Sequence, residues 1–225
     1  MDARAAVVDT PPGTMDLVRL VTAFNLHPER HLHPSWLPPA WPPRHRRPER
    51  FGPAAQELLG HLLQRGAPHA PEFNFDSRLR RLALLDGASL RRLALYCGLC
   101  THKPLFKLRG VSAQLRRQAR RLDPDAVDFV LDRVPLLTEL RMDASALQQR
   151  PITTGRVVAA RGYRLLLAAM SEDTEAIRRR VLWKLPRRVS TLAVPRLAAR
   201  QAAQLSELML LCIVPERLPQ WDWLF

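Results

Sequence analysis

Cys97 and Cys100 are spaced as in redox and zinc-binding sites, and His102 follows closely. Disulfide chemistry at such a pair needs a thiol of lowered pKa, usually at a helix N-terminus. Cys97 instead continues the apolar stripe of a predicted helix near its C-terminal end, where the helix dipole disfavours a thiolate. Tetrahedral zinc would need a fourth ligand, and no second Cys-x-x-Cys pair occurs. We therefore predict buried cysteines without chemistry; a small redox enzyme is the alternative that thiol titration would test.

His27, His31 and His33 form a second cluster of potential metal ligands. A helix would place His27 and His31 on one face, but Pro28 and Pro34 interrupt the segment, and no acidic outer shell is apparent. The sequence also lacks the phosphate-binding, dinucleotide-binding, serine-hydrolase and zinc-protease motifs. We therefore expect no metal site, no cofactor and no catalytic residue, so the chain is not expected to be an enzyme.

Positive charge dominates the chain and is unevenly distributed. The net charge is +14, and of the 35 basic residues only three are lysines. Residues 76–121 carry a net +10, residues 122–149 a net −4, and residues 150–200 a net +9. Such a chain should bind acidic partners: nucleic acid, anionic lipid or acidic protein surfaces. A codon bias that replaces lysine with arginine is the alternative explanation of the arginine excess.

Two groups of arginines could form binding surfaces. At helical spacing, the first group makes one broad basic face: Arg116, Arg117, Arg120 and Arg121. The second group combines Arg178–Arg180 with Arg187 and Arg188. Apart from Trp183 in the second, the segments interleave no aromatic residue, which a nucleic-acid-binding surface would use for stacking. The arginine faces therefore favour carboxylates on a partner protein, and a basic helical nucleic-acid-binding protein is the alternative.

The cellular compartment is suggested by what the sequence lacks. Three cysteines in 225 residues indicate a reducing environment. The first residues contain no apolar segment of the kind that a secretory signal has. The longest apolar stretches, Leu165–Met170 and Leu208–Val214, are too short to span a bilayer. We expect a cytoplasmic protein that meets a membrane only through partners.

Twelve of the twenty prolines lie in residues 1–75. Proline fixes φ and removes a hydrogen-bond donor, so this region should be extended or turn-like. It also carries Trp36, Leu37 and Trp41, which linkers seldom contain. We predict a flexible extension at residues 1–15 and a proline-rich arm with the first helices at 16–75. The arm should pack on a helical body at 76–225, so that residues 16–225 form a single domain.

Helical signals become regular after residue 75. Asp76 is predicted to cap a helix with Leu79, Leu82 and Leu85 on one face. Ser89 is predicted to cap the next helix, which places the following residues on one face: Leu90, Leu93, Ala94 and Cys97.

Further helices follow toward the C-terminus. Ser112 is predicted to cap a helix through Leu122. Asp123-Pro124-Asp125 should start one whose apolar stripe is Val127, Val130, Leu131 and Val134. Another should span about residues 152–170, and Ser171-Glu172-Asp173 should cap its successor. The last should cover about residues 194–213. Alternating strand patterns are nearly absent, so the fold class is all-α, an irregular bundle of about seven to nine helices.

Several short phrases follow one another in a particular order along the chain. Near the N-terminus they are Phe24-Asn25-Leu26-His27-Pro28 and Leu32-His33-Pro34-Ser35-Trp36-Leu37-Pro38, followed by Trp41. They resemble the opening of the YscK/PscK (SctK) family of type III secretion sorting-platform proteins. Mid-chain, Leu90-x-x-Leu93-Ala94-Leu95-Tyr96-Cys97-Gly98-Leu99 is similar to the family's leucine-rich helix. Later, Arg179-Arg180-Val181-Leu182-Trp183-Lys184-Leu185-Pro186 is similar to another of its phrases. The order and spacing of the phrases carry the resemblance, and the arginine density departs from the family pattern.

The resemblance implies a non-catalytic adaptor domain over residues 16–225, at the cytoplasmic face of the inner membrane. Its implied partners are the cytoplasmic, forkhead-associated-like domain of the inner-membrane ring protein and the pod protein of the sorting platform. Through the pod protein it would act indirectly on the export ATPase complex. For partner binding we expect Trp36, Leu37 and Trp41, together with the arginine face: Arg116, Arg117, Arg120 and Arg121.

Overall fold

The computed structural model describes residues 14–66, 70–108, 112–140 and 145–225. Within these ranges the chain folds into helices and contains no β-strand, which confirms the all-α prediction. Except for the first residues of helix α1, the predicted extension at residues 1–15 lies outside the described residues. The division of the chain into one extension and one domain stays a prediction.

The described residues contain twelve α-helices, more than the expected seven to nine. The excess comes from four helices of only four or five residues, so the longer helices alone fall within the expected range. The α-helices are α1 (Thr14–Leu26), α2 (Pro53–Gly66), α3 (Arg78–Arg81), α4 (Gly87–Cys100), α5 (Lys103–Lys107), α6 (Ser112–Leu122), α7 (Ala126–Asp132), α8 (Ser145–Gln149), α9 (Thr154–Ala169), α10 (Glu175–Lys184), α11 (Ala199–Glu207) and α12 (Val214–Arg217).

Short 3₁₀ helices occupy much of the segment between α1 and α2, residues 27–52, which we call the arm. Each of the arm's 3₁₀ helices begins at a proline, because the fixed φ suits the first helical position and no donor is needed there. They are Pro28–His31, Pro34–Trp36, Pro43–His45 and Pro48–Arg50. In the rest of the chain, 3₁₀ helices cover Leu82–Leu84, Pro151–Thr153, Arg187–Thr191 and Pro219–Leu224.

Helices α4 and α9 cross at the centre of the molecule, and two glycines set their separation. A Cβ atom at Gly98 of α4 would overlap the carbonyl oxygen of Val158. A Cβ atom at Gly162 of α9 would overlap the carbonyl oxygen of Ala94. The two backbones therefore touch directly, and no other residue type fits at either position without moving a helix.

The main apolar core surrounds this crossing and reaches both ends of the described chain, from Val21 in α1 to Leu224 near the C-terminus. The α4 face predicted from periodicity is fully buried, as is the α7 stripe apart from the half-buried Leu131. Tyr96 of α4 and Phe129 of α7 meet edge to face, with ring centroids 5.2 Å apart, and connect the two helices.

Helix starts differ from the predicted caps at four places, one of which is α7, which begins at Ala126 after Asp125 and not directly after Asp123. Helix α4 is capped by Asp86, whose Oδ1 accepts the Ser89 N–H at 2.7 Å, so Ser89 lies inside the first turn. Helix α10 is capped by Thr174, whose Oγ1 accepts the Ile177 N–H at 3.4 Å, and not by residues 171–173. The short α3 begins after Ser77, not after Asp76. Several polar residues stand side by side at each start, and packing decides which of them becomes the cap.

The last predicted helix is also revised. Residues 193–198 are irregular, and α11 begins only at Ala199. The chain then continues as a π-helix at Leu208–Ile213 before α12. Pro215 lacks an N–H and its ring would clash with the carbonyl four residues back, which explains the wider turn directly before it.

Candidate partner-binding surfaces

The arm is fastened to the C-terminal end of α10 by hydrogen bonds to backbone oxygens. The indole N–H of Trp36 donates to the carbonyl oxygens of Leu182 at 3.1 Å and Leu185 at 2.9 Å. The backbone N–H of His33 donates to the carbonyl oxygen of Trp183 at 2.7 Å. Carbonyls at a helix end lack the usual helical partner; that of Leu182 accepts the Leu185 N–H, so Trp36 adds a second donor there and supplies one to the carbonyl of Leu185.

A small apolar cluster, separate from the main core, lies beneath these bonds. Its buried members are Leu32, Leu37 and Trp183. Half-buried groups from the arm and α2 surround it, namely Trp36, Phe51, Leu59 and Leu63. The expectation that the arm packs on the helical body is thus met by an interface with its own apolar centre.

The three arm residues expected to bind partners are therefore placed differently. Leu37 is buried and Trp36 is half-buried. Trp41 retains 42% of its surface, and its ring lies 6.3 Å from that of Phe51. Of the three, Trp41 offers the most surface for a partner, and the binding role of all three stays a prediction.

Helix α6 presents the predicted arginine face. Leu115 and Ala119 point into the core, so the arginines occupy the opposite side. Arg116 donates to Ser112 Oγ at 2.7 Å, and Arg120 pairs with Asp128 at 3.1 Å. With Ala113, the arginines line an open depression of about 570 Å³: Arg116, Arg117, Arg120 and Arg121.

Arg117 and Arg121 are the exposed arginines of this face that form no ion pair with any described carboxylate. Their guanidinium groups are free to bind an external anion, because no internal pair has to be broken first. The structure places the four arginines of α6 on one continuous basic surface. Their binding to a partner stays a prediction.

The second predicted arginine face does not exist as one surface. Arg178 and Arg179 pair with Glu175 at 2.6 and 3.4 Å. Arg180 is buried, with its guanidinium carbon 5.4 Å from the centroid of the Phe24 ring, and burial lowers its pKa. Consecutive helical residues point about 100° apart, so three in a row cannot share one face. Arg187 and Arg188 follow in a separate 3₁₀ helix.

Cys97 and Cys100 are fully buried in the α4–α9 crossing. Burial raises the pKa of both thiols, so neither forms a thiolate readily. Gly98, between them, is required by the close approach of α9. The Cys-Gly-Leu-Cys phrase is thus explained by packing.

The three histidines of the arm do not converge. His27 Nδ1 lies 3.2 Å from Glu29 Oε1, and His33 Nδ1 lies 2.9 Å from Ser35 Oγ. Burial, and then the charge of Lys184, lowers the pKa of His31 to about 4. Across the described ranges, no group of three or more His, Cys, Asp or Glu side chains is arranged to hold a metal ion.

The sequence reasoning missed two buried lysines. Lys184 Nζ donates to the carbonyl oxygens of Ala83 and Leu85, each at 2.8 Å, and burial lowers its pKa to about 7. Lys103 Nζ donates to the carbonyl oxygens of Leu131 and Val134 at the end of α7. The composition held part of the signal: two of the three lysines in this arginine-rich chain lie in buried sites, which suit a compact ammonium better than a planar guanidinium, whereas Lys107 is exposed.

No helix in the described part of the chain is both long and apolar enough to cross a bilayer. A protein-family model described as "YOP proteins translocation protein K (YscK)" matches residues 20–224. No curated protein and no solved structure matches the chain. The matched range runs from α1 to the C-terminal 3₁₀ helix, so it includes the arm, the central crossing and both arginine segments.

Proposed function

We propose that this chain, which belongs to the YscK family, is an adaptor of a type III secretion machine and acts by binding alone. Family membership makes it a protein of type III secretion, and the match over residues 20–224 is the observation that carries the proposal. The buried cysteines of the helical body and the hydrogen-bonded His27 and His33 of the arm support a binding role, because these reactive groups contact other parts of the chain.

The proposed partners are those that the family resemblance implies. On one side is the cytoplasmic, forkhead-associated-like domain of the inner-membrane ring protein. On the other is the pod protein of the sorting platform, and through it, indirectly, the export ATPase complex. The adaptor would work in the cytoplasm at the face of the inner membrane and would reach the membrane only through these partners.

Two surfaces are proposed to make the contacts. The α6 arginines would pair with carboxylates on a partner, and guanidinium groups can do so with two parallel hydrogen bonds. Trp41 would supply an apolar anchor, since tryptophan and arginine dominate the energetics of many interfaces. Trp36 and Leu37 would act mainly by holding the arm in place for Trp41.

Co-purification of the full chain with the inner-ring domain and with the pod protein tests the proposal. Changing Arg116, Arg117, Arg120 and Arg121 to Glu should abolish recovery of at least one partner. A control chain should retain both partners, with the same charge change at four exposed arginines elsewhere: Arg78, Arg164, Arg196 and Arg200. Circular dichroism should show that both variants fold.

Failure of the unmodified chain to bind either component would contradict the adaptor role. Equal losses in the two variants would remove the α6 face from the account and leave only a net-charge effect. Binding of arbitrary duplex DNA that persists at physiological salt, with sequence preference, would instead support the alternative of a nucleic-acid-binding protein.

A further inference from the structure

Three arginines that are distant in sequence lie around the seam between the arm and the body. Arg91 belongs to α4, and Arg187 and Arg188 open the 3₁₀ helix that follows α10. Arg187 and Arg188 are exposed and Arg91 is half-buried. We call these three residues the junction patch.

Contacts at Gly87 place the head group of Arg91 near the chain segment that leads to the other two arginines. A Cβ atom built on Gly87 would lie 3.3 Å from Arg91 Nη1 and 2.7 Å from the carbonyl oxygen of Lys184. The head group of Arg91 therefore lies beside the chain three residues before Arg187. Arg187 in turn donates its backbone N–H to Ser35 Oγ at 2.7 Å.

The charges of Arg91 and Arg188 act on the same two neighbouring side chains. Burial lowers the pKa of His33, and the charges of Arg91 and Arg188 lower it further. The same two arginines oppose the rise in the pKa of Tyr163 that burial causes. One imidazole in the arm and one phenol in α9 thus both feel Arg91 and Arg188.

No carboxylate in the described part of the chain pairs with the junction patch, and the nearby Asp86 caps α4 instead. None of its arginines forms an ion pair there. By contrast, Arg178 and Arg179, on the preceding helix, share Glu175. Like charges held together without a partner repel one another, so a bound anion would relieve a repulsion that the free protein carries.

We infer that the junction patch is a second docking surface, which binds an acidic segment of a partner protein through its guanidinium groups. The inference rests on the proposed adaptor function and deepens it, since an adaptor needs more than one surface. Carboxylates fit the planar forks of arginine in pairs. Three guanidinium groups from two elements would fix the segment in one place.

Other polyanions fit the patch less well. Stacking of nucleic-acid bases needs an open aromatic face, and the guanidinium of Arg187 lies over the Trp36 ring, 5.9 Å from its centroid. Membrane insertion needs exposed apolar groups beside the charges; the exposed residues nearest after Arg188 are Ser190 and Thr191, and the exposed Val194 comes only six residues later. The patch therefore favours a protein partner.

The test is a titration of the full chain with a fluorescent decaglutamate peptide at physiological ionic strength. Neutralising the patch with Arg91→Gln, Arg187→Gln and Arg188→Gln should weaken binding about tenfold. A control that removes the same charge from exposed sites, with Arg164→Gln, Arg196→Gln and Arg200→Gln, should change it less than about threefold. If the triple variant melts early, Arg187→Gln with Arg188→Gln alone should still reduce binding more than the control does.

Equal losses in patch and control variants would overturn the inference, because only net charge would then matter. So would patch-dependent binding of a DNA duplex or of anionic vesicles without patch-dependent binding of the peptide. The titration needs no secretion component. Peptide binding can therefore be absent while co-purification succeeds, and it can be present while co-purification fails. The two results therefore separate a wrong docking surface from a wrong function.

Discussion

The α4–α9 crossing and the seam between the arm and α10 are held by contacts of different kinds. At the crossing, two glycines bring helix backbones into direct contact among fully buried apolar side chains. At the seam, a small apolar cluster is supplemented by hydrogen bonds from Trp36 and His33 to carbonyl oxygens of α10. The crossing should open only when the whole protein unfolds, whereas the seam can open locally.

The crossing is expected to govern the stability of the protein, whereas much of the predicted partner binding lies at the seam. All three partner-binding residues predicted in the arm, and the junction patch, lie at or near the seam. The α6 arginines lie on a helix whose other face joins the core. The protein thus combines a fixed body with an arm held by fewer contacts, and each of the following changes acts on one of the two.

The largest effect is expected for Gly162→Ala at the crossing. The new methyl group would overlap the Ala94 carbonyl and force the helices apart, at a cost of about 3 kcal/mol in the free energy of unfolding. Urea denaturation would measure it. Gly155→Ala on the same helix is the control, because its nearest neighbour is the flexible end of Leu122 and alanine favours the helix. Equal losses in the two variants would contradict the role of the close approach.

A smaller loss is expected for Lys184→Arg, which keeps the charge near the seam. The ammonium bonds two carbonyl oxygens in a fully buried site, and the larger guanidinium would have to displace neighbours, at a cost of about 2 kcal/mol. The matched exchange at the surface, Arg120→Lys, should stay within about 0.5 kcal/mol. A Lys184→Arg variant as stable as the unmodified chain would show that the site is not shaped for lysine.

The same lysine predicts a pH dependence. Burial lowers the pKa of Lys184 to about 7 from the usual 10.5, so between these values the unfolded chain holds the proton more tightly than the folded one. The stability of the unmodified chain should therefore rise with pH across this window, relative to Lys184→Met, by at most about 1.4 kcal/mol per pH unit. Urea denaturation of both proteins at pH 7, 8 and 9 measures the difference, and a constant difference would contradict a lowered pKa.

The smallest effect is expected for Trp36→Phe at the seam. A smaller aromatic ring remains, but the carbonyls of Leu182 and Leu185 lose the indole donor, which should cost about 1 kcal/mol. Because the arm can open locally, the loss should appear as faster amide hydrogen exchange at His33, without a comparable loss in global stability. Trp41→Phe, which removes no hydrogen bond of the seam, should leave that exchange unchanged. Faster exchange throughout α4 and α9 as well would show that the two regions unfold together.

Local sequence patterns predicted the helical body well, because they report contacts that repeat along one helix. The α7 stripe of Val127, Val130 and Val134 is buried as predicted. Cap positions moved by a few residues, as from Ser89 to Asp86, because neighbouring polar residues compete for the same role. The π-helix before Pro215 follows from the proline, but periodicity alone does not reveal it.

The candidate binding surfaces were only partly predictable. The α6 arginines lie on one helix, so their spacing in the sequence was enough to predict that they share one face. Trp36 bonds to residues almost 150 positions away, and no local pattern reports such a contact. The arginines of the junction patch likewise come from parts of the chain that are distant in sequence, α4 and the segment after α10. Arg180 was expected at the surface and is buried, because the position of α1, which brings Phe24 to it, is a tertiary feature.

Photo-crosslinking in bacteria that are actively secreting tests the central claim most directly. A crosslinkable residue would replace Trp41 or Arg117, and Ala203, on the exposed side of α11, would serve as the control position. The account predicts adducts with the inner-ring protein or the pod protein from positions 41 and 117, and far fewer from position 203. Normal secretion without any adduct to a secretion component from either test position would contradict an adaptor that binds through these surfaces.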